Sequence, residues 1–195
     1  MNKKDKVPFL TDIQELRRRA REHIKCGAIT EDYEGDLQTA ISILNDALAT
    51  EIVCVLRYKH HYFTAHGIQS DAVKQEFLEH AEEEQDHADR IAERIVQLGG
   101  NPELNPSGLA SRSHSEYQEG ESLTEMIEED LIAERIAIES YREMIRYFEK
   151  NDPTSRRLLE RVLAKEEEHA EDLSSLLLEI DPSRKVKPDI TKKTA

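Results

Sequence analysis

The feature that most constrains this 195-residue chain is a motif that occurs twice. Glu51 and Tyr58 are followed by Glu84 and His87; Glu134 and Tyr141 are followed by Glu166 and His169. In each copy Tyr stands seven positions after the first Glu, and the two Glu are 33 residues apart in one copy and 32 in the other. Glu and His three residues apart lie on neighbouring turns of one helix face, where together they can grip a metal ion. With 28 Glu and 8 His in the chain, chance supplies about one such pair. No other histidine has Glu three positions before it. Two copies at one pitch imply two equivalent halves.

The long segments around the motif read as helices. Charged residues make up 35% of the chain and aromatics 5%, with no Trp, seven Gly and six Pro, a composition that favours long solvated helices over sheets. Thr11-Asp12-Ile13-Gln14 reads as a capping box opening a basic helix over 12–25. Leu37, Ile41, Leu44, Leu48, Val55 and Tyr62 keep a helical repeat over 36–66. A second long helix runs from Ser70-Asp71 to the Gly99-Gly100 stop. Residues 99–121, rich in Pro, Gly, Ser and Asn, break the pattern. Ser122-Leu123-Thr124-Glu125 opens a third helix to about Lys150, and Asp152-Pro153 opens a fourth that ends at Asp181-Pro182.

Linker lengths decide the topology. Short connections make the first and second long helices antiparallel neighbours, and likewise the third and fourth. The second helix is about 42 Å long, and the 22-odd residues after it can reach about 70 Å when extended. They can run the length of the molecule and leave the third helix parallel to the second. The result is an all-α, pseudo-twofold antiparallel four-helix bundle with one long crossover and an extra N-terminal helix. Residues 1–35 form a tail and short helix, 36–181 the bundle, and 182–195 a polar basic tail. Glu51, Glu84, His87, Glu134, Glu166 and His169 then meet at one level of the core.

Four buried carboxylates without a counter-charge would repel one another and take up protons. Two divalent cations neutralise them, with two Glu bridging, two terminal and one imidazole on each metal. Oxygen-rich ligation with one nitrogen suits iron or manganese, and two cysteines, Cys26 and Cys54, supply neither a four-Cys site nor a disulfide scaffold. Tyr58 and Tyr141 have three readings: a hydrogen bond to a carboxylate across the bundle, electron donation, or a core tyrosine with a satisfied hydroxyl. Cys54 reads as a small buried residue or one near the metals, His60, His61 and His66 as surface or packing residues or a metal contact, and Glu79, Glu83 and Glu167 as solvated or cavity-lining.

One Glu on each of two helices, with Glu-x-x-His on each of the other two, is the ligand pattern of ferritin-like di-iron bundles. Over about residues 36–180 the chain resembles bacterioferritin and the Dps-like proteins that carry a bacterioferritin-type di-iron site. AERIAIESY at 133–141 and EEEHAEDL at 166–173 look like the second group in particular. The resemblance implies two iron ions per chain, oxidation of Fe(II) by O2 or H2O2, and storage of ferric mineral in a hollow homo-oligomeric shell. Gln85 stands where bacterioferritin has its haem-binding Met, so no haem is expected. No apolar fifth helix follows Pro182, which favours 12 subunits over 24. The Dps-like group often has a cysteine pair around the crossover and third helix, where this chain has Arg112 and Ile136.

The remaining expectations come from charge and hydropathy. A net charge of −14 disfavours DNA and anionic membrane surfaces and favours cations. Lys3, Lys4 and Lys6, with Arg184, Lys185, Lys187, Lys192 and Lys193, form basic tails that are too few and too easily screened to hold DNA tightly. The longest aliphatic run, IVCVL, is too short to span a bilayer, and the N-terminus has no apolar signal core. A reducing cytoplasm fits. Alternatives of other classes are a di-metal peroxidase or catalase, an oxygenase with an apolar substrate pocket, and a Dps-type DNA-protecting protein.

Overall fold

The computed structural model describes residues 11–67 and 70–180. Both basic tails, and the segment after Pro182 on which the subunit number was argued, lie outside these residues. Among the described residues there are six α-helices, one short 3-10 helix and no strand. The helices are α1 (Ile13–Arg19), α2 (Leu37–Thr64), α3 (Ser70–Gln97), α4 (Pro106–Arg112), α5 (Leu123–Phe148) and α6 (Pro153–Ile180). The long four lie where the periodicity puts them. The basic helix does not: α1 stops at Arg19, and His23 takes a positive φ of 49° before the 3-10 turn Ile24–Cys26. Its cap is Asp12, not Thr11, because the Asp12 carboxylate accepts the Gln14 N–H at 2.8 Å.

The helix ends obey local chemistry. At the end of α3, Gly99 (φ 76°) lets its own N–H reach the Val96 carbonyl while the Gly100 N–H reaches that of Ile95. That pair closes the helix with a left-handed residue that glycine adopts at no steric cost. A Cβ on Gly100 would lie 2.8 Å from Ile41, so the chain passes close to α2 here. Ser122 caps α5 by accepting the Glu125 N–H at 3.3 Å. Asp152 caps α6 through the Ser155 N–H at 2.8 Å.

Asp152 does more than cap. Its carboxylate also accepts from the Ser155 hydroxyl at 2.6 Å and from Arg94 on α3 at 2.8 and 3.0 Å. Burial works to raise its pKa, yet the Ser155 and Arg94 bonds hold the carboxyl below its ordinary value. A group depressed on folding contributes stability above its unfolded pKa, near 3.9, and that contribution is lost as pH falls through the folded value. Asp152→Asn is therefore expected to cost about 1.5–3 kcal/mol at pH 7. Urea unfolding of both proteins across pH should show the gap closing below about pH 4.

Each long helix buries a stripe at three- and four-residue spacing: Leu44, Leu48, Glu51, Val55 and Tyr58 on α2; Val73, Phe77, His80, Glu84, Ala88, Ile91 and Ile95 on α3. On α5 it is Ile127, Asp130, Glu134, Ala137, Tyr141, Met144 and Phe148, and on α6 Ser155, Leu159, Val162, Glu166, His169 and Leu173. Spacing of this kind keeps one face of each helix against its partners. The stripes form two apolar clusters. One joins Leu44 and Leu48 with Ile91, Ile95, Met144, Phe148 and Leu159; the other joins Tyr58 with Phe77, Ile127 and Leu173. The order in which each helix passes from one cluster to the other makes α3 and α5 parallel to each other and antiparallel to α2 and α6. This is the ferritin-like bundle.

The crossover is laced along α2. Asn45 holds Asn101 and Glu103, the Thr50 hydroxyl accepts the His114 N–H at 3.0 Å, and Arg57 donates to the Glu116 carbonyl at 2.9 Å. His61 contacts the Gln118 carbonyl at 3.1 Å, and Leu109 of α4 packs on Ala49 and Val53. The crossover is thus not wholly irregular, because Asn105 and Pro106 start a short helix inside it. Among the described residues only α2 is long and apolar enough to cross a bilayer, and most of that stretch is buried inside the bundle.

Candidate metal centre

Between the two apolar clusters lies a polar layer. Glu51, Glu84, His87, Glu134, Glu166 and His169 are all buried there. Their ligand atoms form two groups, Glu51–Glu84–His87–Glu166 and Glu84–Glu134–Glu166–His169, each with atoms within 4.8 Å of one another. Glu84 and Glu166 belong to both groups. His87 Nδ1 lies 3.3 Å from Glu51, 3.3 Å from Glu84 and 3.1 Å from Glu166. His169 Nδ1 lies 3.3 Å from the other Glu84 oxygen, 3.6 Å from the other Glu166 oxygen and 3.9 Å from Glu134. Each shared carboxylate therefore presents one oxygen to each imidazole.

These atoms fit cations better than they fit one another. Glu84 Oε1, Glu134 Oε2, both oxygens of Glu166 and His169 Nδ1 are buried with no hydrogen-bond partner. Two ligands bound 2.0–2.1 Å from one metal stand about 3.0–3.4 Å apart, the range spanned by the closer contacts here. Without a cation the crowding must be relieved by protons. Burial, then the Glu84 charge, pushes Glu51 and Glu166 well above the ordinary carboxylate value and raises Glu134. Burial opposes ionisation of Glu84 too, but the neighbouring His169 and His87 imidazoles hold it well below that value. Against burial, Glu166, Glu51 and Glu84 push His87 up to about 12, and Glu84 and Glu134 push His169 up to about 9. Protons in such a layer are what metal ions displace.

The tyrosines are exchanged between the halves. The Tyr58 hydroxyl donates to Glu134, and the Tyr141 hydroxyl donates to Glu51. Burial and the neighbouring carboxylate raise both phenols well above their ordinary value, so they remain donors. Of the three readings, the carboxylate hydrogen bond describes their placement. Glu83 fixes His169 from behind, with Oε2 2.7 Å from Nε2. Glu79 is exposed, and Glu167 pairs with Arg142 at 2.6 Å.

Several residues fall elsewhere. Cys54 is buried but faces the crossover, 3.8 Å from the Ser115 hydroxyl, and Cys26 is exposed. His61 is neither surface nor ligand: its Nδ1 meets Asp130 at 2.7 Å, beside the Arg57–Asp130 ion pair at 2.8 Å. The sequence reading passed over Asp130 and also His80. His80 is buried, its Nδ1 is 3.2 Å from the Tyr58 hydroxyl, and its ring stacks 4.0 Å from that of His169. Burial, then His169, pushes His80 down to about 3. The available signal was position: His80 and Asp130 interrupt buried stripes, where a polar residue needs a partner.

Residues 41–181 match the ferritin family, described as a ferritin-like domain. The chain is 35% identical over 137 residues to a nutrient stress-induced DNA-binding protein of a Nostoc species, covering 69% of this chain and 74% of that one. It is 32% identical over 138 residues to the bacterioferritin of Brucella melitensis, covering 70% and 81%. Among solved structures it is similar to the bacterioferritin-related protein of Bacteroides fragilis, described as a dodecameric thioferritin. There the TM-score is 0.73 with 32% identity, over 76% of this chain and 89% of that one.

Proposed function

We propose that this chain, which belongs to the ferritin family of ferritin-like domains, oxidises Fe(II) and stores the ferric product inside a homo-oligomeric shell. The observation that carries the reading is the pair of ligand groups sharing Glu84 and Glu166. Fe(II) is the substrate, two ions per chain, with Glu84 and Glu166 between them and Glu51 with His87, or Glu134 with His169, completing each end. Two ferrous ions give up one electron each, reducing O2 with two protons to H2O2, or H2O2 with two protons to water. The protein's part is binding and electrostatics. Carboxylates favour the harder ferric state, Tyr58 and Tyr141 orient the terminal Glu134 and Glu51, and Glu83 fixes the His169 ring.

A shell of twelve subunits fits the surface as well as the similarity to a dodecameric protein. Phe63 is 75% exposed, Val96 59% and Leu56 52%, apolar side chains that subunit contacts would cover. DNA is not among the proposed partners, since a net charge of −14 per chain repels it. Haem is not expected either: Gln85 is turned to Asp89, to which it donates at 2.9 Å.

Anaerobic titration of the metal-free protein with Fe(II), followed by separate additions of O2 and H2O2, tests the reading. A tight break at two ions per chain and oxidation faster than that of free iron are expected. A break at one, or oxidation at the free-iron rate, would overturn it. Oxygen evolution from peroxide by manganese-loaded protein would point to a catalase instead. Light scattering should give about twelve times the chain mass; a monomer would refute the shell.

A further inference from the structure

A second cluster of metal-binding side chains stands outside the six. Glu76 and His80 on α3 and Asp172 on α6 offer ligand atoms within 4.8 Å of one another. His80 Nε2 lies 3.3 Å from Glu76 and 4.0 Å from Asp172. His80 is 1% exposed, whereas the side chains of Glu76 and Asp172 are 32% and 46% exposed. The cluster is therefore a nitrogen at the back of a shallow recess with two carboxylates at its mouth.

Proton bookkeeping decides what this recess wants. The Tyr58 hydroxyl has one hydrogen and gives it to Glu134. Its contact with His80 Nδ1 is then as acceptor, so Nδ1 carries the ring hydrogen. Nε2, the other ring nitrogen, is the one that faces the two carboxylates. An imidazole nitrogen and two carboxylates converging on one point, with the nitrogen at the buried end, make a ligand set for a cation. The 3.3 Å between Nε2 and Glu76 is already a separation that two ligands on one metal adopt.

We propose that Glu76, His80 and Asp172 form a third, mononuclear cation site, open to solvent and taking a first-row divalent ion. One imidazole with two carboxylates suits Fe(II), Mn(II), Co(II) or Zn(II) and leaves positions for water. Its histidine stacks on His169 and bonds Tyr58, so the site adjoins the dinuclear layer from the α3–α6 face. The proposal does not depend on the reading of that layer.

Equilibrium dialysis of the full-length protein against Co(II), without oxidant, tests it. Wild-type protein is expected to bind three ions per chain, and Glu76→Gln/Asp172→Asn two, the third weakened at least tenfold. Both changed side chains are partly exposed, so the fold should survive, and the circular dichroism of the variant checks that. A protein lacking the inner pair through Glu166→Gln should keep one ion that Glu76→Gln/Asp172→Asn removes. If wild-type binds one ion and that double variant none, the third site stands and the dinuclear reading falls. Wild-type binding of two, or an unchanged third ion in the double variant, would overturn the third site.

Discussion

Glu166→Gln is expected to abolish rapid Fe(II) oxidation and, in the same protein, to raise the melting temperature of the metal-free form. Glu166 is shared by both ligand groups, so its loss opens both positions at once. The oxidation rate should fall by more than about 100-fold, beyond the 10–100-fold typical of losing a partner behind a ligand. Stability moves the other way because both Glu166 oxygens are buried without a partner, among Glu84, Glu51 and Glu134. Gln has the same shape, lacks the charge and brings a donor. Relief on the order of 1–3 kcal/mol corresponds to roughly 2–12 °C in a chain of this size. Calorimetry in chelator and stopped-flow oxidation measure the two effects. Oxidation within twofold of wild-type would remove Glu166 from the site. Glu84→Gln separates the two effects: it should lose oxidation without the gain in stability, because the two neighbouring imidazoles favour the ionised form of Glu84.

Asp130→Ala should produce the largest loss of stability away from the polar layer. Asp130 is fully buried, with one oxygen 2.8 Å from Arg57 and the other 2.7 Å from His61. Removing it leaves Arg57 as a buried charge without its carboxylate, a change that costs about 3–5 kcal/mol, or roughly 6–20 °C. The crossover should loosen with it, since Arg57 and His61 also hold Ser115, Glu116 and Gln118. Faster proteolysis between residues 113 and 121 would report that directly. Replacing the pair together, Arg57→Met with Asp130→Leu, should recover much of the stability, because no unpaired charge remains. A melting temperature for Asp130→Ala within 2 °C of wild-type would show that the network contributes nothing.

The long helices, and the meeting of six Glu and His side chains in one buried layer, were legible because two periodicities coincide. Glu51, Glu84, Glu134 and Glu166 fall in the same three- and four-residue stripes as Leu48, Phe77, Ile127 and Leu159, and the repeated pitch singles them out. Cross-helix partners of other kinds were not legible. Asp130, Arg57 and His61 meet only after the third helix docks on the first, and no repeat marks them, so His61 read as a surface or packing residue. Helix α4 was hidden because its seven residues carry one buried side chain, Leu109, too few to set up a period. The basic N-terminal helix was read too long because charge continues through Arg21 and Lys25, whereas after Arg19 the backbone bonds tighten to three-residue turns and His23 turns to a positive φ. His80 looked ordinary for the opposite reason: the search for Glu three residues before a histidine excluded it, although Glu76 stands four before.

The exchanged tyrosines have a consequence for how the molecule is closed. Helices α2 and α3 together carry Glu51, Glu84 and His87, yet the hydroxyl that steadies Glu51 comes from α5; the same holds in reverse for Glu134 and Tyr58. Neither hairpin owns a finished half-site. Ions held by Glu84 and Glu166 would act as a clasp between hairpins that otherwise meet across a layer of mutually repelling acids. Ligands that bind only the closed form stabilise it by mass action. On that reading the carboxylates strain the closed bundle, and the ions it would take up are what would lock it.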